Sequence, residues 1–436
     1  MRYSMSRGCF VPWLSPVSNV PHLPTRRTVR RARFLACWLF VQLIGAAFGG
    51  FGISDSHAQE RAVNIGVLTD MAGQYKDLSG QGSVEAARMA VEDFGGQVLN
   101  ANVQVYAGDH RNDVPTATTI ATEWFDNKRV GLIVDMPYTP VAIAVQKLAF
   151  ERKRVDIAVS SGSTDLTGSA CTETGFHWAY DTYSNSVPLV RAMVGFRLNS
   201  WFFITLDNAF GLSLEKEATT AIVGAGGHVV GHSLHPFNAR NFASQLAAAQ
   251  DSGARVIALA NAGGDTINAV REAAELGISS RSQALAPLLV FLTDVHTLGL
   301  DVAKGMTFID GFYWNADPET RAWSKRFFAR RGVMPTMSHA GVYSAVKHYL
   351  GAIQAAGTED AFAVATKMRA TPVDDFFAKG GRIRVDGRLA HDMYVVQVKQ
   401  PAQSRQPWDY YEILSTIPQD KAFRPLEESV CPLVKS

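Results

Sequence analysis

From residue 62 onward, the sequence alternates between short apolar runs of strand length and longer stretches with helical spacing of apolar residues. Residues 62–68 form one such run, and residues 83–94 place apolar side chains at helical intervals. Strands that are apolar on both faces and separated by amphipathic helices are typical of a parallel sheet covered by helices. The alternation forms two successive series, so the sequence predicts an α/β fold with two lobes.

The two series and the tail that follows them predict the order of the elements. The first series has strands at 62–68, 103–107, 131–134 and 156–159 and helices at 83–94, 115–125 and 139–150. The second has strands at 201–206, 228–234, 256–260, 288–292 and 306–313 and helices at 186–196, 210–223, 242–249 and 266–276. The last third has helices at 319–331, 339–356 and 360–368 and strands at 382–385, 394–399 and 408–414. Because this tail has too few alternating units for a third lobe, we expect it to complete the other two.

Residues 1–58 have the three parts of a secretory signal peptide. They carry seven arginines, no lysine and one acid, Asp55, and their basic stretch precedes an apolar run at 34–51. Ser56-His57-Ala58 places small residues at the −3 and −1 positions, which predicts cleavage before Gln59. An uncleaved anchor helix is the alternative, because the apolar run approaches the roughly 18 residues of a membrane span. We interpret the segment as a cleaved signal, which predicts a periplasmic protein.

The charge of the remaining chain argues against nucleic acid as a partner. Without the leader, the chain has 35 basic and 39 acidic residues, so the mature protein is mildly acidic. Proteins that bind nucleic acid through its phosphates need a basic surface. We therefore predict no nucleic-acid partner.

Removing the leader also removes Cys9 and Cys37 and leaves Cys171 and Cys431. No Cys-x-x-Cys motif is present in the sequence, which argues against a redox or zinc site. In an oxidising compartment the two remaining thiols most simply form one disulfide. Two separately buried thiols are the alternative.

No catalytic, metal or cofactor motif stands out in the sequence. His228, His232 and His235 lie in a predicted strand, where the first two share a face and the third points to the opposite face. Gly80-Gln81-Gly82 lacks the third glycine and the tight turn of a dinucleotide fingerprint. No nucleophile elbow or local catalytic triad is apparent. We predict a binding protein without cofactor or metal; an exported α/β enzyme is the alternative from another class.

Ligands of open α/β sheets bind outside the carboxyl ends of the strands, so the loops that follow the strands are the candidate site. Ser160, Ser161, Gly162 and Ser163 follow the fourth predicted strand and offer hydroxyl and backbone donors before a helix start. Such a loop suits a carboxylate, with help from the helix dipole. A plain N-cap and turn is the alternative. Met136-Pro137-Tyr138 ends the third strand at the same sheet edge.

Five stretches together resemble the solute-binding proteins of ABC importers, in the branch of the leucine/isoleucine/valine-binding proteins. They are Val63-Asn64-Ile65-Gly66-Val67-Leu68, Asp207-Asn208-Ala209-Phe210-Gly211, Ala225-Gly226-Gly227-His228-Val229-Val230-Gly231, Asn241-Phe242-Ala243-Ser244-Gln245-Leu246 and Ala340-Gly341-Val342-Tyr343-Ser344-Ala345-Val346. The resemblance implies two doubly wound, Rossmann-like lobes that close on a ligand. It implies chain crossings near Tyr183, Tyr313 and Met393, and hence lobes formed by 59–182 with 313–393 and by 183–312 with 394–436.

The resemblance also implies positions for ligand contacts. The family binds a ligand carboxylate where this sequence has residues 160–163, and it has a second contact loop where this sequence has Met136 and Tyr138. Phe210 stands at an aromatic contact, Asn261 and Ala262 at a second-lobe loop, and Asp294 where amino-acid binders keep an acid for the ligand ammonium. Ala262 and Gly263 replace a bulkier pair, which enlarges the cleft.

Aromatic side chains are the candidate walls of that cleft. They are Tyr138, Trp178, Tyr183, Phe210, Tyr313 and Trp314, although Trp178 and Trp314 could equally belong to the core. These rings favour an aromatic acid as the ligand. The resemblance further implies a monomer that delivers its ligand to an inner-membrane ABC permease. A branched-chain or other amino-acid binder, and a ligand sensor of the same fold, are the alternatives.

Overall fold

The computed structural model describes residues 62–278 and 283–435. The predicted signal peptide and its cleavage site lie outside the described residues. Within the described part, no helix combines the length and hydropathy needed to cross a membrane.

A six-stranded sheet forms the centre of the first lobe. Its strands are β1 (Ala62–Thr69), β2 (Gln97–Val98), β3 (Ala101–Asp109), β4 (Val130–Asp135), β5 (Val155–Ala158) and β6 (Gly175–His177), in the spatial order β2-β3-β1-β4-β5-β6. All neighbours are parallel except β2, which pairs antiparallel with β3. The helices that connect these strands are α1 (Gly80–Phe94), α2 (Val114–Asp126) and α3 (Thr139–Glu151). This arrangement confirms the predicted α/β fold of the first series.

Close packing of α2 on this sheet depends on two glycines. A Cβ atom at Gly66 of β1 would lie 2.4 Å from the Trp124 ring, and one at Gly108 of β3 would lie 2.9 Å from it. The indole therefore occupies the space that side chains at these two positions would fill.

A four-stranded parallel sheet forms the centre of the second lobe. Its strands are β7 (Ser200–Leu206), β8 (His228–His235), β9 (Val256–Ala260) and β10 (Ala284–Pro287), in the order β10-β9-β7-β8. The helices in this part of the chain are α4 (Thr182–Gly195), α5 (Ala209–Gly224), α6 (Ala243–Asp251), α7 (Gly264–Glu275), α8 (Leu292–Leu298) and α9 (Leu300–Ala303). In each sheet the first strand of the lobe, β1 or β7, lies between two later strands, so the strand order reverses there. Such a reversal is typical of doubly wound lobes.

The predicted strand at 288–292 is wrong. The strand in this region, β10, pairs with β9 from Ala284 opposite Val256 to Pro287 opposite Leu259. Since β9 ends one residue after Leu259, the apolar run that continues beyond Pro287 has almost no partner strand. It forms a loop, and the chain then enters α8.

The tail forms helices that pack on the first lobe and a further antiparallel sheet. It contains β11 (Thr307–Asp310), α10 (Pro318–Arg331), α11 (Met337–Ala356), α12 (Ala361–Ala370), β12 (Arg382–Ile383), β13 (Leu389–Ala390), β14 (Met393–Val398), β15 (Tyr411–Ile417) and α13 (Gln419–Ala422). The helices α10 and α11 pack on α1 of the first lobe, where Arg330 Nη2 lies 2.7 Å from Glu92 Oε2. The strand predicted at 306–313 is shorter than expected and forms an antiparallel sheet, β11-β14-β15, instead of joining the parallel series.

The predicted disulfide between Cys171 and Cys431 is confirmed, with the two Cα atoms 5.8 Å apart. It joins the segment before β6 to the end of the chain. A cross-link over 260 residues removes loop entropy from the unfolded chain, and native disulfides typically contribute about 2–4 kcal/mol.

Asp156 of β5 is a buried carboxyl group whose two oxygens have no hydrogen-bond partner among the described residues. Burial raises its pKa well above the ordinary value of 3.8. The folded protein therefore holds this proton more tightly than the unfolded chain does, and it loses stability as the pH rises above about 4 toward the folded pKa.

We expect Asp156→Asn to remove that loss, because the amide has the same shape and does not ionise. Its free energy of unfolding should exceed that of the wild type by about 1–3 kcal/mol at pH 8 and differ little at pH 4, as for a relieved buried polar group. Urea unfolding at the two pH values measures this. The same pH dependence in both proteins would show that Asp156 does not titrate as described.

Candidate functional site

The carboxyl ends of the strands in both lobes face a shared, narrow cavity that is partly open to solvent. Each of its lining residues lies in a segment that follows a strand. The first lobe contributes Tyr75, Leu78, Pro137, Tyr138, Thr139, Ser160, Gly162 and Tyr180, and the second contributes Phe210, Ala262 and Leu289. This is the edge at which open α/β sheets bind ligands.

Side chains from the two lobes touch each other around the cavity. Phe237 of the second lobe packs against two rings of the first, with centroids 5.6 Å from Tyr75 and 5.2 Å from Tyr138. Gln74 Nε2 donates a hydrogen bond of 3.3 Å to Asp265 Oδ2 across the same boundary. The lobes are therefore closed in this structure, and a ring-sized ligand needs them to separate before it can enter.

The structure places only Ser160 and Gly162 of the predicted hydroxyl loop on the cavity wall. The Ser160 hydroxyl donates to the Asp135 carboxylate, and the Ser161 hydroxyl donates to the Met136 carbonyl. Ser163 caps the short helix Thr164–Thr167, where its Oγ accepts from the Asp165 amide at 3.2 Å. All three hydroxyls thus have partners within the protein, and Ser163 has the N-cap geometry that was the alternative for this loop.

Tyr138, Phe210 and Ala262 lie on the cavity wall, whereas Met136 lies behind it. The Met136 side chain is buried in the core of the first lobe. Asp135 and Met136 have φ values of 93° and 55°, in the left-handed region that non-glycine residues rarely adopt. The strained turn brings Pro137, Tyr138 and Thr139 to the cavity, and such strain concentrates at functional sites.

Asn261 and Asp294 do not line the cavity. Asn261 Oδ1 accepts from the Thr266 hydroxyl at 2.7 Å, and its amide lies 3.1 Å from His235 Nε2. Asp294 accepts the backbone N–H of Phe291 at 2.9 Å at the start of α8, and burial raises its pKa to about 7. Both side chains are engaged in forming the loops of the second lobe.

The two predicted crossing tyrosines also lie away from the cavity. The Tyr313 hydroxyl donates to Asp409 at 3.2 Å, and its ring stacks on Tyr411 with centroids 5.1 Å apart. The Arg424 guanidinium lies 5.3 Å from the centre of the Tyr183 ring. Trp178 and Trp314 are both buried in the core.

Sequence reasoning missed several wall residues, which are Tyr75, Leu78, Thr139, Tyr180 and Leu289, whereas Pro137 lies in a loop that the sequence placed at this edge. Tyr75 and Leu78 lie in the long loop after β1, and the length of that loop was the available signal. Thr139 Oγ1 is buried and has no hydrogen-bond partner among the described residues, so it is free to contact a ligand. The wall of the cavity contains no charged side chain.

Arg388, the residue before β13, is fully buried and lies directly behind Tyr180. Its Nη1 donates to the Tyr180 carbonyl at 2.9 Å, and its Nη2 donates to the Trp178 carbonyl. Burial lowers the pKa of the guanidinium to about 10, and the Asp181 carboxylate, 3.7 Å from Nη1, counteracts this effect. His391 Nε2 lies 2.8 Å from the Ala179 carbonyl. These bonds connect the segment around β13 to the segment after β6 and reach a wall residue of the cavity.

Carboxylates surround the cavity without lining it, and the described residues contain no cluster of three or more acidic, His or Cys side chains that could hold a metal. Burial raises the pKa of Asp135 to about 6 and that of Asp265 to about 6. The site therefore offers rings, hydroxyls and backbone groups, which can bind a small molecule.

A family profile described as periplasmic binding protein matches residues 62–405, which is most of the chain. The chain belongs to the periplasmic binding protein family. Its members with this fold include substrate-binding proteins of ABC transporters, which bind small molecules, partner with membrane permeases and are not enzymes. Membership implies an exported, periplasmic protein.

Solved structures share this fold over nearly their whole length. A periplasmic binding protein from Burkholderia mallei is 42% identical, with 86% of this chain and 99% of that chain covered and a TM-score of 0.84. A branched chain amino acid ABC transporter periplasmic ligand-binding protein from Burkholderia xenovorans LB400 is 35% identical, with coverage of 85% and 100% and a TM-score of 0.77. A solute binding protein of an ABC transporter from R. palustris, in complex with benzoate, is 17% identical, with coverage of 82% and 97% and a TM-score of 0.73, and it shows the fold alone.

A curated relative is much longer than this protein. Glutamate receptor 2.2 of Arabidopsis thaliana is 25% identical over 197 residues, which are 43% of this chain. The match spans about a fifth (20%) of the receptor.

Proposed function

We propose that this periplasmic binding protein captures a small aromatic carboxylate between its lobes and delivers it to an inner-membrane ABC permease. The observation that carries the proposal is the composition of the cavity wall: four rings, from Tyr75, Tyr138, Tyr180 and Phe210, with no charged side chain. Rings of this kind stack on or pack edge-to-face against an aromatic ligand. The proposal includes a signal peptide cleaved after Ala58, a monomeric protein and no catalytic activity.

The position of two helices supports the carboxylate. α3 begins at Thr139 and α5 begins at Ala209, next to the wall residue Phe210. Because helix N-termini carry partial positive charge, they favour an anion at this edge of the sheets without a basic side chain. The R. palustris protein complexed with benzoate has the same fold, which makes benzoate a reasonable first probe.

A branched-chain amino acid is the second candidate, favoured by the relative from Burkholderia xenovorans LB400 and by the presence of Asp294. An ammonium group would need Asp294 to leave the Phe291 amide and turn to the ligand. If it does so, Asp294→Ala should weaken binding by about 3–5 kcal/mol, as for a buried charge that loses its partner. With an aromatic acid as ligand, the same substitution should have little effect. A ligand sensor of the same fold is a further alternative; it would close on the same ligand and differ only in its downstream partner.

Calorimetric titration with benzoate, 4-hydroxycinnamate, phenylalanine and leucine tests the proposal. We expect at least one aromatic acid to bind and Tyr138→Ala to weaken it by about tenfold, since one aromatic contact contributes about 0.5–1.5 kcal/mol beyond its buried area. Phe196→Ala is the matched control, because that ring is 81% exposed. Tight binding of leucine with none of the aromatic acids would contradict the aromatic assignment and leave the transport assignment intact.

A further inference from the structure

Asp135 lies directly behind the cavity wall at the end of β4 and is completely buried. Its Oδ1 accepts the hydroxyl proton of Ser160, a residue that lines the cavity. Among the described residues that line the cavity, Ser160 is the one that hydrogen-bonds to the Asp135 carboxyl group.

A serine hydroxyl has a single proton, so its partner decides what it can offer a ligand. When Asp135 is ionised, Ser160 donates its hydroxyl proton to the carboxylate, and only the lone pairs of the Ser160 oxygen face the cavity. When Asp135 is protonated, it can donate to Ser160, and the hydroxyl proton is free to turn toward a ligand. The protonation state of Asp135 therefore sets whether Ser160 accepts or donates a hydrogen bond in the cavity.

The groups that face Asp135 from the neighbouring elements are hydroxyls. They are Thr69 at the end of β1, Ser83 of α1, Ser160 after β5 and the phenol of Tyr180 after β6. Among the described residues, no lysine or arginine acts on this carboxyl group, and its Oδ2 has no hydrogen-bond partner. Burial outweighs the hydroxyl groups and raises the pKa of Asp135 to about 6, so a proton is available there under mild conditions.

We propose that binding of a carboxylate in this cavity is coupled to uptake of one proton by Asp135, with Ser160 as the hydroxyl that then donates to the ligand. The inference rests on the proposed function and specifies how the site tolerates an anion beside a buried carboxyl group. The proton comes from solvent, and the net charge in the site stays at minus one when the ligand binds. Asp135 is a positioning residue, since it acts on the ligand through Ser160.

Calorimetry with benzoate and with benzamide, its uncharged analogue, tests the coupling. For benzoate we expect the Kd to rise by about fivefold between pH 6 and 7 and about tenfold between pH 7 and 8, and the binding heat to vary with the ionisation enthalpy of the buffer, as uptake of one proton requires. Benzamide lacks the negative charge, so any binding of it should show neither effect.

Asp135→Asn supplies the matched variant. Its amide can donate to Ser160 at every pH, so benzoate should bind it at pH 8 with about the affinity that the wild type has at pH 6, and without proton uptake. Asp156→Asn is the control, because Asp156 is an equally buried carboxyl group of the same sheet that, unlike Asp135, has no hydrogen bond to a wall residue. It should keep the pH dependence of the wild type.

The outcomes separate this inference from the proposed function. Benzoate binding to the wild type with no pH dependence and no buffer-dependent heat would overturn the proton coupling and leave the aromatic-acid assignment standing. Loss of coupling in Asp156→Asn would assign the proton to another carboxyl group. Failure of every aromatic carboxylate to bind between pH 5.5 and 8 would overturn both.

Discussion

Replacing Arg388 with methionine is expected to lower the free energy of unfolding by about 3–5 kcal/mol, the usual cost of removing one partner from a buried ion pair. The guanidinium is fully buried, and its loss would leave the Trp178 and Tyr180 carbonyls without their donors. It would also leave Asp181, itself buried, without its counter-charge.

Guanidinium chloride unfolding measures this effect, and two further variants calibrate it. Arg152→Met removes an exposed ion pair with Asp126, 3.0 Å long, and should cost less than about 1 kcal/mol. Arg388→Lys keeps the charge but loses the planar fork that reaches two carbonyls, so we expect an intermediate loss. An Arg388→Met protein as stable as the wild type would show that these bonds do not hold the segment around β13 to the segment after β6.

Replacing Gly162 with valine is expected to weaken ligand binding by about 10- to 100-fold, because an overpacked contact costs about 1–3 kcal/mol. A Cβ atom at Gly162 would lie 2.6 Å from Phe210 Cε2, on the opposite side of the cavity. Since Gly162 belongs to the first lobe and Phe210 to the second, the added side chain would hold the lobes apart.

The free energy of unfolding without ligand separates this effect from a general defect. It should change by less than about 1 kcal/mol in Gly162→Val, because the open protein has room for the side chain. Gly351→Ala is the control for adding a side chain, since a Cβ atom there meets nothing within 4 Å. Binding in Gly162→Val equal to that of the wild type would contradict closure through this contact.

Hydrophobic periodicity was sufficient to predict most of the fold. The strand at 256–260 is found with its predicted ends, and α2 and α3 begin within one residue of the prediction. It failed at 288–292, because periodicity reports that a run is buried and does not report whether a partner strand extends far enough to pair with it. The antiparallel partner of β11 lies about 90 residues further along the chain, as in the pair Thr307 and Gln397, and no local pattern identifies it.

The residues of the site were predicted only in part. Ser160, Gly162 and Tyr138 were predicted from loops that follow strands, and Phe210 and Ala262 from the family resemblance; the structure brings these residues to one cavity. Tyr180 was not chosen, because it follows β6, a three-residue strand too short to produce a pattern. The partners of the loop hydroxyls, such as Asp135 for Ser160, depend on the pairing of β4 with β5 and not on sequence distance.

Closure of two lobes on an aromatic acid is the central claim, and small-angle scattering with and without benzoate tests it most directly. The contacts of Phe237 with Tyr75 and Tyr138 close the cavity, so the ligand-free protein must open to bind. We expect the ligand-free protein to have a larger radius of gyration than this structure, and saturating benzoate to reduce it to the value calculated from the structure. An unchanged radius at a benzoate concentration that calorimetry shows to be saturating would contradict the account.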